Sequence, residues 1–89
     1  MAAEYRINLS KQSAKYIQSV DKPTRKRIND VLNELTLNPK SGPHIKPLKG
    51  PLKNQYRYQL SWIRIIYKIQ DDILLVQVAT IGPRGDVYK

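Results

Sequence analysis

The stretch from Gln55 to Ile69 constrains the fold more than any other part of the chain. On a strand, side chains two apart share a face. In the second half of the stretch Ile63, Ile65, Tyr67 and Ile69 fall on one face, and Trp62, Arg64, Ile66 and Lys68 on the other. In the first half Tyr56, Tyr58 and Leu60 alternate with Arg57 and Gln59. Two β segments joined near Ser61 and Trp62 predict a hairpin with one apolar and one charged face, with Arg57 and Arg64 on neighbouring strands. Whether the two arginines face the same way depends on the register, which the pattern leaves open.

The rest of the chain supplies partners for that hairpin. Tyr5, Ile7 and Leu9 alternate with Arg6 and Asn8, a short strand. Ser10 offers an N-cap hydroxyl, and Ala14, Ile17 and Val20 recur at helical spacing, so a first helix is expected from about Ser10 to Val20. Pro23 suits the first turn of a second helix, whose stripe is Ile28, Val31, Leu32 and Leu35 and which ends near Leu37, because Pro39 restricts Asn38. Asn38 to Pro51 holds four prolines and two glycines and reads as an ordered loop carrying Lys46, Leu48 and Lys49. Asp71 and Asp72 mark a turn, Ile73 to Ile81 is a central strand, and Gly82 to Lys89 is a tail. The expected class is α+β: an N-terminal strand, a two-helix hairpin, then three antiparallel strands, in one small twisted sheet with the helices packed on one face. Eighty-nine residues suit one core, so residues 1–89 are expected to form a single domain.

Charge narrows the function. Sixteen Lys and Arg face seven Asp and Glu, a formal charge of +9, which points to nucleic acid or an acidic partner. Between Pro39 and Gln70 lie Lys40, Lys46, Lys49, Lys53, Arg57, Arg64 and Lys68 and no acid, whereas the N-terminal third mixes its signs. The positive field therefore gathers around the hairpin. The absence of cysteine excludes disulfides and thiol chemistry. No apolar run has the length of a membrane span or the form of a signal peptide, so the expected compartment is the cytoplasm, with no membrane partner.

Several chemistries lack their residues. His44 is the only histidine, and the acids do not cluster at ligand spacing, so neither a metal site nor a serine triad is expected. No glycine-rich phosphate loop is present. What remains is a mixture of cations and aromatics: Tyr56, Arg57, Tyr58, Trp62, Arg64, Tyr67 and Lys68, with Arg84 and Tyr88 in the tail. Guanidiniums neutralise phosphates and rings stack on splayed bases, a combination suited to RNA. Tyr67 shares the face of Ile63, Ile65 and Ile69 and is expected in the core.

Leu48-Lys49-Gly50, Tyr56-Arg57-Tyr58-Gln59-Leu60, Ile63-Arg64-Ile65-Ile66-Tyr67 and the run from Ile81 to Tyr88 stand in an order and spacing that resembles the RelE-like toxins of the RelE/ParE superfamily. The resemblance covers nearly the whole chain and implies the toxin of a type II toxin–antitoxin system. RelE-like members are ribosome-dependent endoribonucleases that cut mRNA in the ribosomal A site; ParE-like members poison DNA gyrase. The resemblance to RelE implies an mRNA interferase with no cofactor, with Arg57, Arg64, Arg84 and Tyr88 catalytic and Lys46, Lys49, Lys53, Gln59, Trp62 and Lys68 binding RNA. Its implied partners are mRNA, ribosomal RNA and an antitoxin encoded nearby. Gln59 stands where some relatives carry a lysine, Pro83 replaces a histidine or lysine often found before the tail arginine, and the C-terminal helix of several relatives is not expected here.

Metal-free RNA cleavage uses the RNA's own 2′-hydroxyl as nucleophile at the adjacent phosphorus. The protein must orient the groups, neutralise charge on the phosphate oxygens and move two protons. Arg57, Arg64 and Arg84 can neutralise, but arginine is a poor base. Tyr88 could accept the proton with neighbouring cations favouring its phenolate, or could stack on a base; Lys49 or Lys53 could replace the lysine absent at Gln59. A gyrase poison and a degenerate homologue that only binds its antitoxin are the alternatives.

Overall fold

The computed structural model describes residues 4–48 and 54–83. Its elements in chain order are β1 (Arg6–Leu9), α1 (Lys11–Ser19), α2 (Lys22–Leu37), β2 (Ile45–Pro47), β3 (Gln55–Leu60), β4 (Ile63–Gln70), a short 3-10 turn (Asp71–Ile73) and β5 (Leu75–Pro83). The class is the expected α+β, with both helices on one face of a single sheet.

Local chemistry sets the helix ends. Ser10 is extended, and its Oγ accepts from the Ser13 backbone N–H at 3.1 Å, starting α1. The end of α1 is closed from the next helix: Arg25 donates from Nε to Ile17 O at 3.1 Å and from Nη2 to the carbonyls of Gln18 and Val20. A cation at a helix C-terminus satisfies orphan carbonyls and suits the dipole. Pro23 sits in the first turn of α2, and Asn38 leaves helical geometry at φ −151°, ahead of Pro39. The expected stripe of Ile28, Val31, Leu32 and Leu35 is buried.

The strand order is β1-β5-β4-β3-β2. β1 runs parallel to β5, and the other three pairings are antiparallel. Three features differ from the sequence reading. Gly82 and Pro83, expected in the tail, extend the last strand by pairing with Arg64 and Ile63. Ile45–Pro47, expected within a loop, pairs with Tyr56–Tyr58 as a short outer strand. Three residues are too few to show a period of two, and an edge strand tolerates Pro47. The last strand begins two residues late, since Ile73 lies in the 3-10 turn and Leu74 takes a left-handed φ of 50°.

The core lies between the helices and one face of the sheet. Across that face run Ile45, Tyr58, Ile65 and Ile81 in one row, and Tyr56, Tyr67, Val78 and Leu9 in the next. Tyr67 is fully buried, as its place in the apolar alternation requires, and donates its hydroxyl to Pro39 O at 2.6 Å. Among the described residues the other face of the sheet carries no helix.

Candidate nucleic-acid interface

A two-residue loop at Ser61 and Trp62 joins β3 to β4, and Ser61 takes φ 54°, the positive φ that tight hairpin turns use. This loop fixes the register: Leu60 faces Ile63, Gln59 faces Arg64 and Arg57 faces Ile66. Residues paired across strands lie on one face, so Arg57, Gln59 and Arg64 all project from the face opposite the helices.

Following the pairings across the sheet gives that face in four rows, of which the last, Gln70, Leu75 and Arg6, lies farthest from the hairpin turn, and the first three surround Arg57. One row reads Gln59, Arg64, Gly82; the next Lys46, Arg57, Ile66, Thr80; the third Gln55, Lys68, Gln77, Asn8. Four cations and no acid stand in these three rows. Lys46 lies directly beside Arg57, and Arg64 lies diagonally across from it, a spacing of roughly 7–8 Å. Two unit charges held at that backbone spacing would repel by roughly 0.6 kcal/mol in water and about 2 kcal/mol at a surface-like dielectric of 20. An anion between them relieves that repulsion. Arg57 Nε is also buried and, among the described residues, has no hydrogen-bond partner. A buried N–H without an acceptor is costly, and a phosphate oxygen is a suitable acceptor.

Arg64 is held differently. Its Nε donates to Gln59 Oε1 at 2.8 Å, while Gln59 Nε2 donates to Ser61 O at 2.5 Å and lies 3.4 Å from Ile63 O. Trp62, at the tip of the hairpin beside this pair, is 52% exposed. Lys46 and Lys68 are exposed as well. Lys49, Lys53, Arg84 and Tyr88 lie outside the described residues.

The phenols of the core are poor proton acceptors. Burial and the hydrogen bond to Glu34 push the Tyr58 hydroxyl up to about 12, and burial raises that of Tyr67 further. Tyr58 donates to Glu34 Oε2 at 2.9 Å, on the helix side of the sheet, and its ring lies 5.7 Å from that of His44. An open groove of about 230 Å³ lies there, lined by Arg27, Asp30, Val31, Glu34, Tyr58 and Leu60. Tyr5 and Lys40 both bond the Asp71 carboxylate, at 2.6 and 2.7 Å. Those bonds raise both donors' values and lower that of Asp71. Among the described residues no three His, Cys, Asp or Glu side chains are grouped to hold a metal ion.

Sequence reasoning placed Gln59 as a contact for RNA and did not see its bond to Arg64. The signal was present in the loop length, because two loop residues at 61 and 62 imply the pair 59 with 64. Thr80, Gln77 and Asn8 joined the face only through the β5 pairings, for which the chain carries no local signal.

The family model for the "ParE toxin of type II toxin-antitoxin system, parDE" matches residues 7–88. The chain belongs to this toxin family. It is a RelE-like toxin of the RelE/ParE superfamily, and its fold is shared by solved members. A chain of the archaeal RelE–RelB complex from Pyrococcus horikoshii superposes with a TM-score of 0.78 at 26% identity, over 92% of this chain and 97% of that one. A chain of the YoeB–YefM complex from Staphylococcus aureus gives 0.69 at 26% identity, over 90% and 97%. The isolated Escherichia coli RelE toxin gives 0.76 at 23% identity, over 94% and 90%. No curated protein sequence matches the toxin. Among its described residues no helix is long and apolar enough to cross a membrane.

Proposed function

We propose that this toxin is a RelE-like, ribosome-dependent mRNA endoribonuclease, a single cytoplasmic domain over residues 1–89 that stops translation by cutting message in the ribosomal A site. The observation that carries the reading is the outer face of the sheet, acid-free among the described residues, where Arg57 and Arg64 stand diagonally opposed and Arg57 Nε is buried with no partner among those residues. In this reading the scissile phosphate lies over the two guanidiniums. They offset the charge that grows on its non-bridging oxygens as the 2′-hydroxyl attacks and the 5′-oxygen leaves. The products are a cyclic phosphate and a 5′-hydroxyl. Lys46 and Lys68 extend the positive surface along the RNA backbone, and Trp62 offers a ring for a base.

Proton transfer needs groups other than these arginines, and the raised Tyr58 and Tyr67 phenols stay protonated in the working range. In this reading the base is Tyr88, or Lys49 or Lys53, with Arg84 as a third cation. A site whose cations and rings outnumber its acid–base groups depends on something else to hold the RNA in line, and the ribosome supplies that.

The partner that restrains the toxin is an antitoxin encoded nearby. The P. horikoshii and S. aureus structures, both of complexes, support this. A second reading, a DNA-gyrase poison, is favoured by the ParE family model. Purified protein added to programmed ribosomes separates the two: message cut at the A-site codon supports the nuclease, and intact message together with gyrase-dependent plasmid breaks supports the poison.

A further inference from the structure

Gln59 has a geometry that a simple RNA contact does not need. It stands directly opposite Arg64 in the hairpin, and its amide is engaged at both ends. The Nε2 group donates to Ser61 O at 2.5 Å and lies 3.4 Å from Ile63 O, both carbonyls of the turn or its border, while Oε1 accepts from Arg64 Nε at 2.8 Å. The assignment of the two amide ends follows from chemistry. Reversing them would set an NH₂ against the Nε–H donor and an oxygen against two carbonyls. The amide is thus anchored to the hairpin turn and presents one acceptor to the guanidinium. A bond at Nε, the nitrogen next to the aliphatic stem, fixes rotation about the Cδ–Nε bond and with it the plane of the whole guanidinium. Arg57, one row away, has no such acceptor on its own Nε among the described residues.

We propose that Gln59 is a positioning residue, which through the hairpin turn sets the plane of the Arg64 guanidinium for the cleavage step and adds little to RNA affinity. The inference rests on the nuclease reading above. It also assigns a role to the departure at this position, where some RelE relatives carry a lysine. In this chain a cation at position 59 would remove the acceptor and face Arg64 directly, and like charges directly opposed on a sheet destabilise each other. Gln59→Lys therefore lowers activity here.

The test uses the full-length toxin in two arms. In the first, ¹⁵N–¹H spectra follow the Arg64 Nε–H, assigned by its loss in Arg64→Lys. The wild-type proton is expected to be protected from solvent exchange, and Gln59→Met, of similar length and without an acceptor, is expected to abolish that protection. An Nε–H equally protected in both proteins overturns the inference, whatever the activity. In the second arm, cleavage of ribosome-bound mRNA is followed in single turnover against toxin concentration. Gln59→Met and Gln59→Lys are expected to cut about 10-fold to 100-fold more slowly at saturation, the scale of a misoriented group, with half-saturation within about twofold of wild type. A raised half-saturation with the saturated rate retained makes Gln59 an RNA contact and overturns the inference. Thermal unfolding identifies any variant that loses its fold, and the second substitution then carries the result. Wild-type protein that leaves the message intact overturns the nuclease reading and the proposed role together. Variants as fast as an active wild type overturn this role alone.

Discussion

Removing one oxygen from Tyr67 tests how the hairpin is tied to the rest of the molecule. The side chain is fully buried, and its hydroxyl donates to the carbonyl of buried Pro39 at 2.6 Å, joining the middle of β4 to the segment just after α2. Its ring stacks on Tyr56 at 5.9 Å and 17°. Tyr67→Phe keeps the ring, the stack and nearly all of the volume, so no cavity opens. What is lost is the hydrogen bond, and the carbonyl of Pro39 is left in the core without that donor. Stranding a buried acceptor costs about 1–3 kcal/mol, and about 2 kcal/mol is expected here. Unfolding entropy near 2.1 cal/mol/K per residue gives about 0.19 kcal/mol/K for 89 residues, so Tm should fall by about 10 °C. Calorimetry of the two proteins at neutral pH measures this. The comparison is Tyr5→Phe, which removes a bond to Asp71 that lies at the surface, where water replaces the lost partner. Its Tm should fall much less. A Tyr67→Phe protein within about 2 °C of wild type, or a Tyr5→Phe protein that loses as much, refutes the reasoning that burial decides the value of these bonds.

Other substitutions probe the sheet and the site. Tyr58 has its hydroxyl raised to about 12 by burial and the Glu34 bond, so its contribution to stability is complete below pH 10 and is lost as pH climbs through about 12. The stability gap between wild type and Tyr58→Phe, from denaturant titrations, should therefore narrow between pH 10 and 12; a constant gap would contradict the assignment. Gln12 on α1 pairs with both backbone groups of Ile81, donating to its carbonyl at 2.7 Å and accepting from its N–H at 3.0 Å, and so continues the edge of β5 where β1 stops. Gln12→Ala should cost about 1–2 kcal/mol in chemical denaturation, the loss of two such bonds. Arg57→Met removes a buried N–H that has no partner among the described residues and one member of a group of like charges. It should raise stability by about 0.5–1 kcal/mol while mRNA cleavage is lost, a trade expected where binding geometry is maintained against stability. A destabilised Arg57→Met protein would show that the arginine is satisfied in the free toxin.

The sequence carried the elements of this fold more clearly than their arrangement. The alternation from Tyr56 to Ile69 marked both faces of the hairpin correctly, down to Tyr67 in the core, because a half-buried strand must alternate. Ser10 and Pro23 marked the starts of the helices for equally local reasons. Ile45–Pro47 was missed because three residues on an edge have neither a period nor a burial pattern to display. The parallel seat of β1 beside β5 was invisible too, since it depends on where the helical hairpin returns the chain. At the site, the cations were legible from charge alone, but their company was not. Gln59 as the partner of Arg64, and Arg57 as a donor without a partner among the described residues, both depend on the register, a property of two strands together.

If the basic face of the sheet cuts message on the ribosome, mRNA ends mapped after brief induction will carry the mark of it. Wild-type toxin should yield new 5′-hydroxyl ends within A-site codons, and Arg64→Ala and Arg84→Ala, expressed to the same level, should not. Unbroken message in cells that stop growing, or the same ends in cells making Arg64→Ala, would contradict it.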